Sequence, residues 1–138
     1  MTTLTPYLFF GGRCEEALSF YAEALSGRAT TIIRMGEAMK DAPDEHKGLI
    51  IHSLFEAKGL SFMASDGMPG EPPDPGGPVS LALGFDTTEE QERVWAKLVE
   101  GGTVLTALHG TFYGGRMGVL TDRFGMRWML NWSPPAKE

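Results

Sequence analysis

Few side chains in this 138-residue sequence can do chemistry at neutral pH, and they are scattered: His46, His52, His109 and a single cysteine, Cys14. His52 sits in a stretch that reads as a strand, Leu49 to Glu56. An imidazole there could act as acid, base or ligand-binding group, because its ordinary pKa lies near neutrality; a hydrogen-bonded structural histidine fits the same pattern. His46 follows Asp44-Glu45 in a polar loop and reads as solvated. His109 precedes Gly110-Thr111-Phe112-Tyr113 and is expected in a loop at a pocket mouth, where Phe112, Tyr113 and Arg116 could cover or orient a ligand. Cys14 opens an expected helix and suits packing better than reactivity. No spacing among Cys14, His52 and the serines makes a nucleophile-base pair or triad. Gly11-Gly12 lacks the glycine fingerprint of a nucleotide-type donor site. The residues therefore point to recognition rather than bond making.

The elements that must position these groups come in two matched sets. Leu4 to Phe10 reads as a strand ending at Gly11-Gly12. Ala17, Leu18, Tyr21, Ala24 and Leu25 recur at helical spacing, and Gly27 supplies a stop. Strands are expected at Ala29 to Met35, Leu49 to Glu56 and Leu60 to Ser65, with a polar excursion from Gly36 to Lys47. The proline- and glycine-rich run from Asp66 to Pro78 can neither pair in a sheet nor continue a helix, so it reads as a connector. The second half repeats the order. A strand at Val79 to Phe85 leads to Thr87-Thr88-Glu89-Glu90, which fits a capping box. A helix with Val94, Trp95, Leu98 and Val99 on one stripe follows and ends at Gly101-Gly102. Strands are then expected at Thr103 to Leu108, Met117 to Asp122 and Met126 to Trp132.

The repeat is visible in residues as well. Gly59-Leu60-Ser61-Phe62-Met63 in the fourth strand matches Gly125-Met126-Arg127-Trp128-Met129 in the eighth. Together with the doubled order this makes duplication the economical reading. The expected fold is α+β: two βαβββ modules, about residues 1–65 and 79–132, joined by a linker at 66–78 within one domain spanning 1–138. Their mixed sheet would be cupped, with the helices on its outer face.

Alternation along the strands separates a helix-facing side from an open one. Leu81, Leu83 and Phe85 share one face of the fifth strand; Ser80, Ala82 and Gly84 share the other and leave space. In the last strand Trp128, Leu130 and Trp132 oppose Arg127, Met129 and Asn131. In the first, Tyr7 and Phe9 oppose Pro6, Leu8 and Phe10. If the helix-free face is concave, Leu8, His52, Met63, Ser80, Tyr113, Arg127, Met129 and Asn131 form the expected ligand-binding set. Such a lining is mostly apolar with a few placed polar groups, as small-molecule sites are, and Arg127 suits a carboxylate or phosphate.

Composition narrows the partners. With Lys plus Arg at 12 and Asp plus Glu at 18, the net charge of -6 repels phosphate backbones and anionic membrane surfaces. No apolar run approaches the roughly 20 residues that span a bilayer, and the first residues do not read as a signal peptide. One cysteine excludes an internal disulfide and fits a reducing compartment, so a cytoplasmic location is expected.

Thr5-Pro6-Tyr7-Leu8, Glu16-Ala17-Leu18 with Phe20-Tyr21, Ser65-Asp66, Gly101-Gly102 and Asp122-Arg123-Phe124-Gly125 with Trp128 resemble, in order and spacing, the PhnB-like group of the glyoxalase/bleomycin-resistance (vicinal oxygen chelate) superfamily. The resemblance covers nearly the whole chain. It implies paired βαβββ modules, a cupped sheet and commonly a homodimer. Metal-dependent members carry two histidines and a glutamate that let a divalent ion chelate vicinal oxygens. The positions that correspond here are Pro6, Ser80 and Met129, none a useful ligand for a hard or borderline cation, and Met63 would suit only a soft ion. The expectation is therefore a metal-independent protein, without cofactor, that binds a small and sometimes anionic organic ligand. The alternative is a small enzyme of lyase, isomerase or dioxygenase type. A demethylubiquinone methyltransferase, the label some PhnB-like relatives carry, ranks third.

Overall fold

The chain folds as strand, helix and three strands, twice over, in a computed structural model that describes residues 2–69 and 78–135. The first half has β1 (Tyr7–Phe9), α1 (Cys14–Leu25), β2 (Arg28–Arg34), β3 (Ile50–Ala57) and β4 (Leu60–Ser65). A short helix α2 (Met35–Ala38) and a 3-10 turn (Asp44–His46) occupy the polar excursion before β3. The second half has β5 (Leu81–Phe85), α3 (Thr88–Leu98), β6 (Thr103–Gly110), β7 (Arg116–Thr121) and β8 (Arg127–Trp132). Two compact units result, Met1–Asp74 and Pro75–Glu138. Of the expected linker, residues 70–77 lie outside the described residues.

Both units build the same sheet. Strand order is β1-β4-β3-β2 in the first and β5-β8-β7-β6 in the second. In each, the first and last strands pair in parallel and the rest are antiparallel. The sequence repeat maps onto this symmetry. Gly59 and Gly125 take positive φ, 82° and 90°, at the turns into β4 and β8. Phe62 and Trp128 are both buried, while Met63 and Met129 fall on the opposite face.

In the first unit, Ala17, Leu18, Tyr21, Ala24 and Leu25 of α1 are all buried, as their spacing requires. The Tyr21 ring meets Phe10 and Phe62 at centroid distances of 5.9 and 5.6 Å, and Phe62 stacks on Phe55 at 4.8 Å. The helix ends at Ser26, whose φ of 55° is left-handed, rather than at Gly27. Gly27 is needed for another reason. A Cβ there would lie 2.5 Å from the Glu56 carbonyl oxygen. Gly102, at the matching bend into β6, would bring a Cβ 2.2 Å from the Thr121 oxygen.

In the second unit Val94 and Leu98 of α3 are buried together with Leu120, Trp128 and Leu130. The Thr87 hydroxyl accepts from the Glu90 amide at 3.2 Å, as expected of a cap. The return half of the capping box is not made, because Glu90 pairs with Arg93 at 3.0 Å. Trp95 lies over β7, where Gly118 leaves room: a Cβ at Gly118 would meet its ring at 2.8 Å. Gln91 is fully buried and donates to the carbonyls of Arg116 and Leu130 at 2.9 and 3.1 Å. It ties the helix to the sheet.

Two of the motifs that carry the family resemblance are structural clips. The Asp66 carboxylate accepts from the backbone amides of Cys14 and Ile50, both at 2.7 Å. The start of α1, the start of β3 and the end of β4 are thereby held on one buried charge. Asp122 accepts from the amides of Phe124 and Met126 at 2.8 and 3.1 Å and from the Trp128 indole at 2.8 Å, fixing the turn between β7 and β8. Cys14 lies beside Asp66 and is fully buried. Burial first, then the neighbouring Asp66 charge, push its thiol up to about 12, so it is a packing group and not a nucleophile. Among the described residues, no helix is long and apolar enough to cross a membrane.

Candidate functional site

The open side of each sheet is found from its register. In the second unit, Ala82 pairs with Met129 and Gly84 with Asn131. Met129 in turn faces Val119, Asn131 faces Met117, and Arg127 faces Thr121. These residues share the face that α3 does not cover, as the alternation in β5 and β8 predicted. Ser80 precedes β5 and lies outside the strand. Ala82 and Gly84 are exposed, so a column of small residues lies open beside Met129 and Asn131.

Polar groups rim this column. Tyr113 donates its hydroxyl to Asn131 Oδ1 at 3.3 Å, and Asn131 Nδ2 lies 3.8 Å from the Met129 sulfur. The Tyr113 turn is fixed: the Thr111 amide donates to the Gly115 carbonyl, and the Gly115 amide donates back to Thr111 Oγ1, both at 3.0 Å. Phe112, at the tip, is fully exposed and sits edge-on to Tyr113 at 5.3 Å. At the other end of the column Arg127 buries its Nε without any hydrogen-bond partner among the described residues. Buried N–H groups without a partner are uncommon in folded proteins.

Two expectations about this rim are corrected. His109 lies within β6 rather than in a loop, facing Met117, and its Nδ1 is 2.9 Å from the Ala107 carbonyl. Since a carbonyl can only accept, Nδ1 carries the proton. Arg116 forms an ion pair with Glu92 of α3, so it braces the helix instead of orienting a ligand.

The first unit's open face is differently made. Leu8 is buried, paired with Ala64, on the side that carries Phe62 and faces α1. Its place in the expected site is therefore withdrawn. Tyr7 and Phe9 take the open side instead, stacked at 4.9 Å with 18° between their planes. Met63 pairs with Tyr7 across β4, as Leu54 pairs with Met63 across β3. His52 is on this face too, with Nδ1 2.9 Å from the Tyr7 hydroxyl. Burial raises the Tyr7 pKa, and the nearby Cys14 adds to the rise.

A metal-chelating site does not fit these residues. The register sets Tyr7 beside Met63 and Ala82 beside Met129. Alanine offers no donor, methionine only a soft thioether, and a phenol with a raised pKa resists ionisation. Pro6 and Ser80, the positions the resemblance implied, supply no charged ligand either. Among the described residues no three His, Cys, Asp or Glu side chains converge. His46 borders a depression of about 220 Å³ with Gly11, Gly12 and Asp66. Both Asp66 oxygens there are already engaged by backbone amides.

Residues 2–131 match the family described as 3-demethylubiquinone-9 3-methyltransferase. The chain belongs to that family. It is 31% identical to Protein YjdN of Escherichia coli K12, over 93% of each chain. The crystal structure of protein PA1353 from Pseudomonas aeruginosa shares 34% identity and a TM-score of 0.85, covering 98% of this chain and 100% of that one. The PhnB protein from Bacillus cereus shares 28% identity and a TM-score of 0.78, covering 96% and 100%. Structures named as glyoxalase-related or as a glyoxalase/bleomycin resistance protein match at 20% and 14% identity with TM-scores of 0.61 and 0.64, which speaks to the fold alone. The chain is thus a PhnB-like member of the 3-demethylubiquinone-9 3-methyltransferase family, with the α+β fold of the glyoxalase/bleomycin-resistance proteins. The Ser65-Asp66 and Asp122-Arg123-Phe124-Gly125 motifs hold elements together rather than line the open faces. The signal that would have placed Tyr7 and Phe9 on the open face was the β1–β4 register, which no periodicity within β1 reveals.

Proposed function

We propose that this protein binds a small organic ligand, without a metal, on the open face of its second sheet. The observation that carries the reading is the column of Ala82 and Gly84 flanked by Met129 and Asn131, with Arg127, whose Nε has no hydrogen-bond partner among the described residues, at one end. Such a surface takes an apolar body along the small residues and reads an anionic group at Arg127. Tyr113 and Asn131, at the other end, offer hydrogen-bonding groups about four residues along the strand, roughly 13 Å away at the usual rise.

The methyl transfer in the family's name finds little support in these residues. A nucleotide-type donor is typically held where a parallel α/β sheet turns into a helix with a glycine-rich loop. Here the sheets are mixed and four-stranded, and Gly11-Gly12 leads into α1 without that fingerprint. A homodimer suits the edges of β2 and β6, which pair with no further strand among the described residues and expose Ile32, Ile33, Val104 and Leu105. Buried, protonated Cys14 suits a reducing cytoplasmic setting.

Native mass spectrometry of protein purified without added ligand tests this directly. A co-purified organic molecule on a dimer is expected. Arg127→Met should then weaken an anionic ligand more than a neutral analogue. Equal weakening of both, or a stoichiometric metal required for turnover, would overturn the reading.

A further inference from the structure

We infer that His109 Nε2 and the sulfurs of Met117 and Met129 form a site for a soft monovalent cation of the Cu(I) type. The inference goes beyond the organic-ligand reading and does not rest on it: His109 on β6 and Met117 on β7 lie across β8 from the small residues of β5. One irregularity in the sheet assembles the donors. Thr106 faces Val119 and His109 faces Met117, so β6 carries one extra residue between these pairs. Thr106 and His109 are three residues apart and would take opposite faces of a regular strand. The bulge returns His109 to the open side, beside Met117. Leu108 takes the α3 side instead, where a Cβ built at Gly118 would meet its Cδ2 at 3.1 Å and the Trp95 ring at 2.8 Å.

The exposed ring is also set up as a ligand. His109 Nδ1 donates to the Ala107 carbonyl at 2.9 Å, so Nε2 keeps its lone pair in the neutral ring, and Nε2 has no hydrogen-bond partner among the described residues. A carbonyl behind one ring nitrogen is the support that metal-binding imidazoles commonly use, because it fixes the tautomer and aims the other nitrogen. The Met117 side chain stands directly opposite, with Cβ atoms about 5 Å apart in such a pair. Met129 is its diagonal neighbour, since Met117 faces Asn131 on β8. Both methionines are part-exposed and unbranched, so their sulfurs can swing to a shared ion. Imidazole and thioether together suit Cu(I). Among the described residues no three His, Cys, Asp or Glu side chains gather, so a hard or borderline divalent ion lacks its ligands. The net charge of -6 favours a cation over an anion at such a surface.

Ag(I), which shares the soft chemistry of Cu(I) and does not oxidise in air, is the probe. In chloride-free buffer, calorimetry with silver nitrate should find one site per chain on the wild-type protein, with which Zn(II) does not compete. NMR of the same titration should show shifts at His109 Nε2 and at the Met117 and Met129 methyl groups. His109→Gln and Met117→Leu should each weaken binding about tenfold or more, because losing a ligand costs at least as much as losing its support. Both variants should melt close to wild type, since these side chains lie on the open side. Cys14→Ala should bind Ag(I) as wild type does, because the thiol is buried and protonated. Gly84→Val, which fills the space claimed for the organic ligand, should also leave Ag(I) binding unchanged, so the two readings fail separately. Shifts confined to His46 or His52, wild-type affinity in both His109→Gln and Met117→Leu, or binding lost in Cys14→Ala would overturn the inference.

Discussion

The two sheets share strand order and the pairing of their parallel strands, but their open faces differ in kind. The first presents rings, Tyr7, Phe9 and His52; the second presents absences, Ala82 and Gly84, rimmed by Arg127, Asn131 and Tyr113. At matched positions Met63 faces Tyr7 while Met129 faces Ala82. The helix-facing sides stay alike because each must bury a helix, with Phe62 matched by Trp128. Duplication has been kept where packing demands it and abandoned where solvent or a ligand is met. Recognition chemistry should therefore be sought in the differences between the halves and stability in their likenesses.

The clips give the largest expected effect and also differ between halves. Asp66→Ala would strand two amides, Cys14 and Ile50, at buried residues where water does not easily substitute. A loss of about 3–5 kcal/mol is expected, since each bond to a charged acceptor contributes about 1.5–3 kcal/mol. Asp122→Ala frees two amides in a part-exposed turn that water can reach, together with the buried Trp128 indole, and should cost about 1–3 kcal/mol. Urea melts of both variants check the order; equal losses would mean that the Asp122 turn is as dry as the Asp66 clip.

Next come the matched glycines. Gly27→Ala and Gly102→Ala each push a Cβ against a backbone oxygen, of Glu56 and Thr121 respectively. Each should lose about 2–3 kcal/mol in a thermal melt, the scale of forced overpacking. Similar losses at the two sites would show that the bend from helix to edge strand is conserved between halves. A mild effect at either would break the equivalence.

Cys14 is the single cysteine and so has no counterpart in the second unit, and its effect is confined to alkaline pH. Its folded pKa, about 12, lies above the value near 9 expected when it is exposed. Below pH 9 both states hold the proton and the contribution is constant. As pH rises toward 12 the unfolded state releases the proton first, so stability falls, by at most about 1.4 kcal/mol per pH unit. Wild type should therefore lose stability above pH 9 faster than Cys14→Ala. Parallel pH profiles would contradict the buried-thiol account.

Much of this was legible in the sequence, for identifiable reasons. The parity of β5 and β8 is readable because small or polar residues alternate with large ones, so Ala82, Gly84, Met129 and Asn131 fall on one face, as their pairing shows, while Ser80 lies outside the strand. In β1 both faces are apolar or aromatic: Tyr7, Leu8, Phe9 and Phe10 follow one another. Periodicity cannot choose a core side in such a run, and Leu8 was expected on the open face when it packs toward α1. His109 was expected in a loop because glycine follows it, yet β6 continues through Gly110. Gly27 read as a helix stop for its conformational freedom, whereas the structure needs its lack of a side chain. What sequence lacked in each case was a neighbour brought close by the fold.

The smallest expected change in stability makes the sharpest test of the contrast between faces. Gly84 sits on the open column of β5, and a Cβ built there meets no atom within 4 Å. Gly84→Val should leave stability nearly unchanged, within about 0.5 kcal/mol, since valine suits a strand and the added Cβ has open space around it. The same two methyl groups would stand where the apolar body of the ligand is proposed to lie. Binding of an anionic aromatic probe such as 2-naphthoate should fall tenfold or more. Stability and binding are thereby uncoupled at one residue. Unchanged 2-naphthoate binding in a well-folded Gly84→Val protein would mean that the space beside Met129 is not used, and the small residues of the second sheet would then need another explanation.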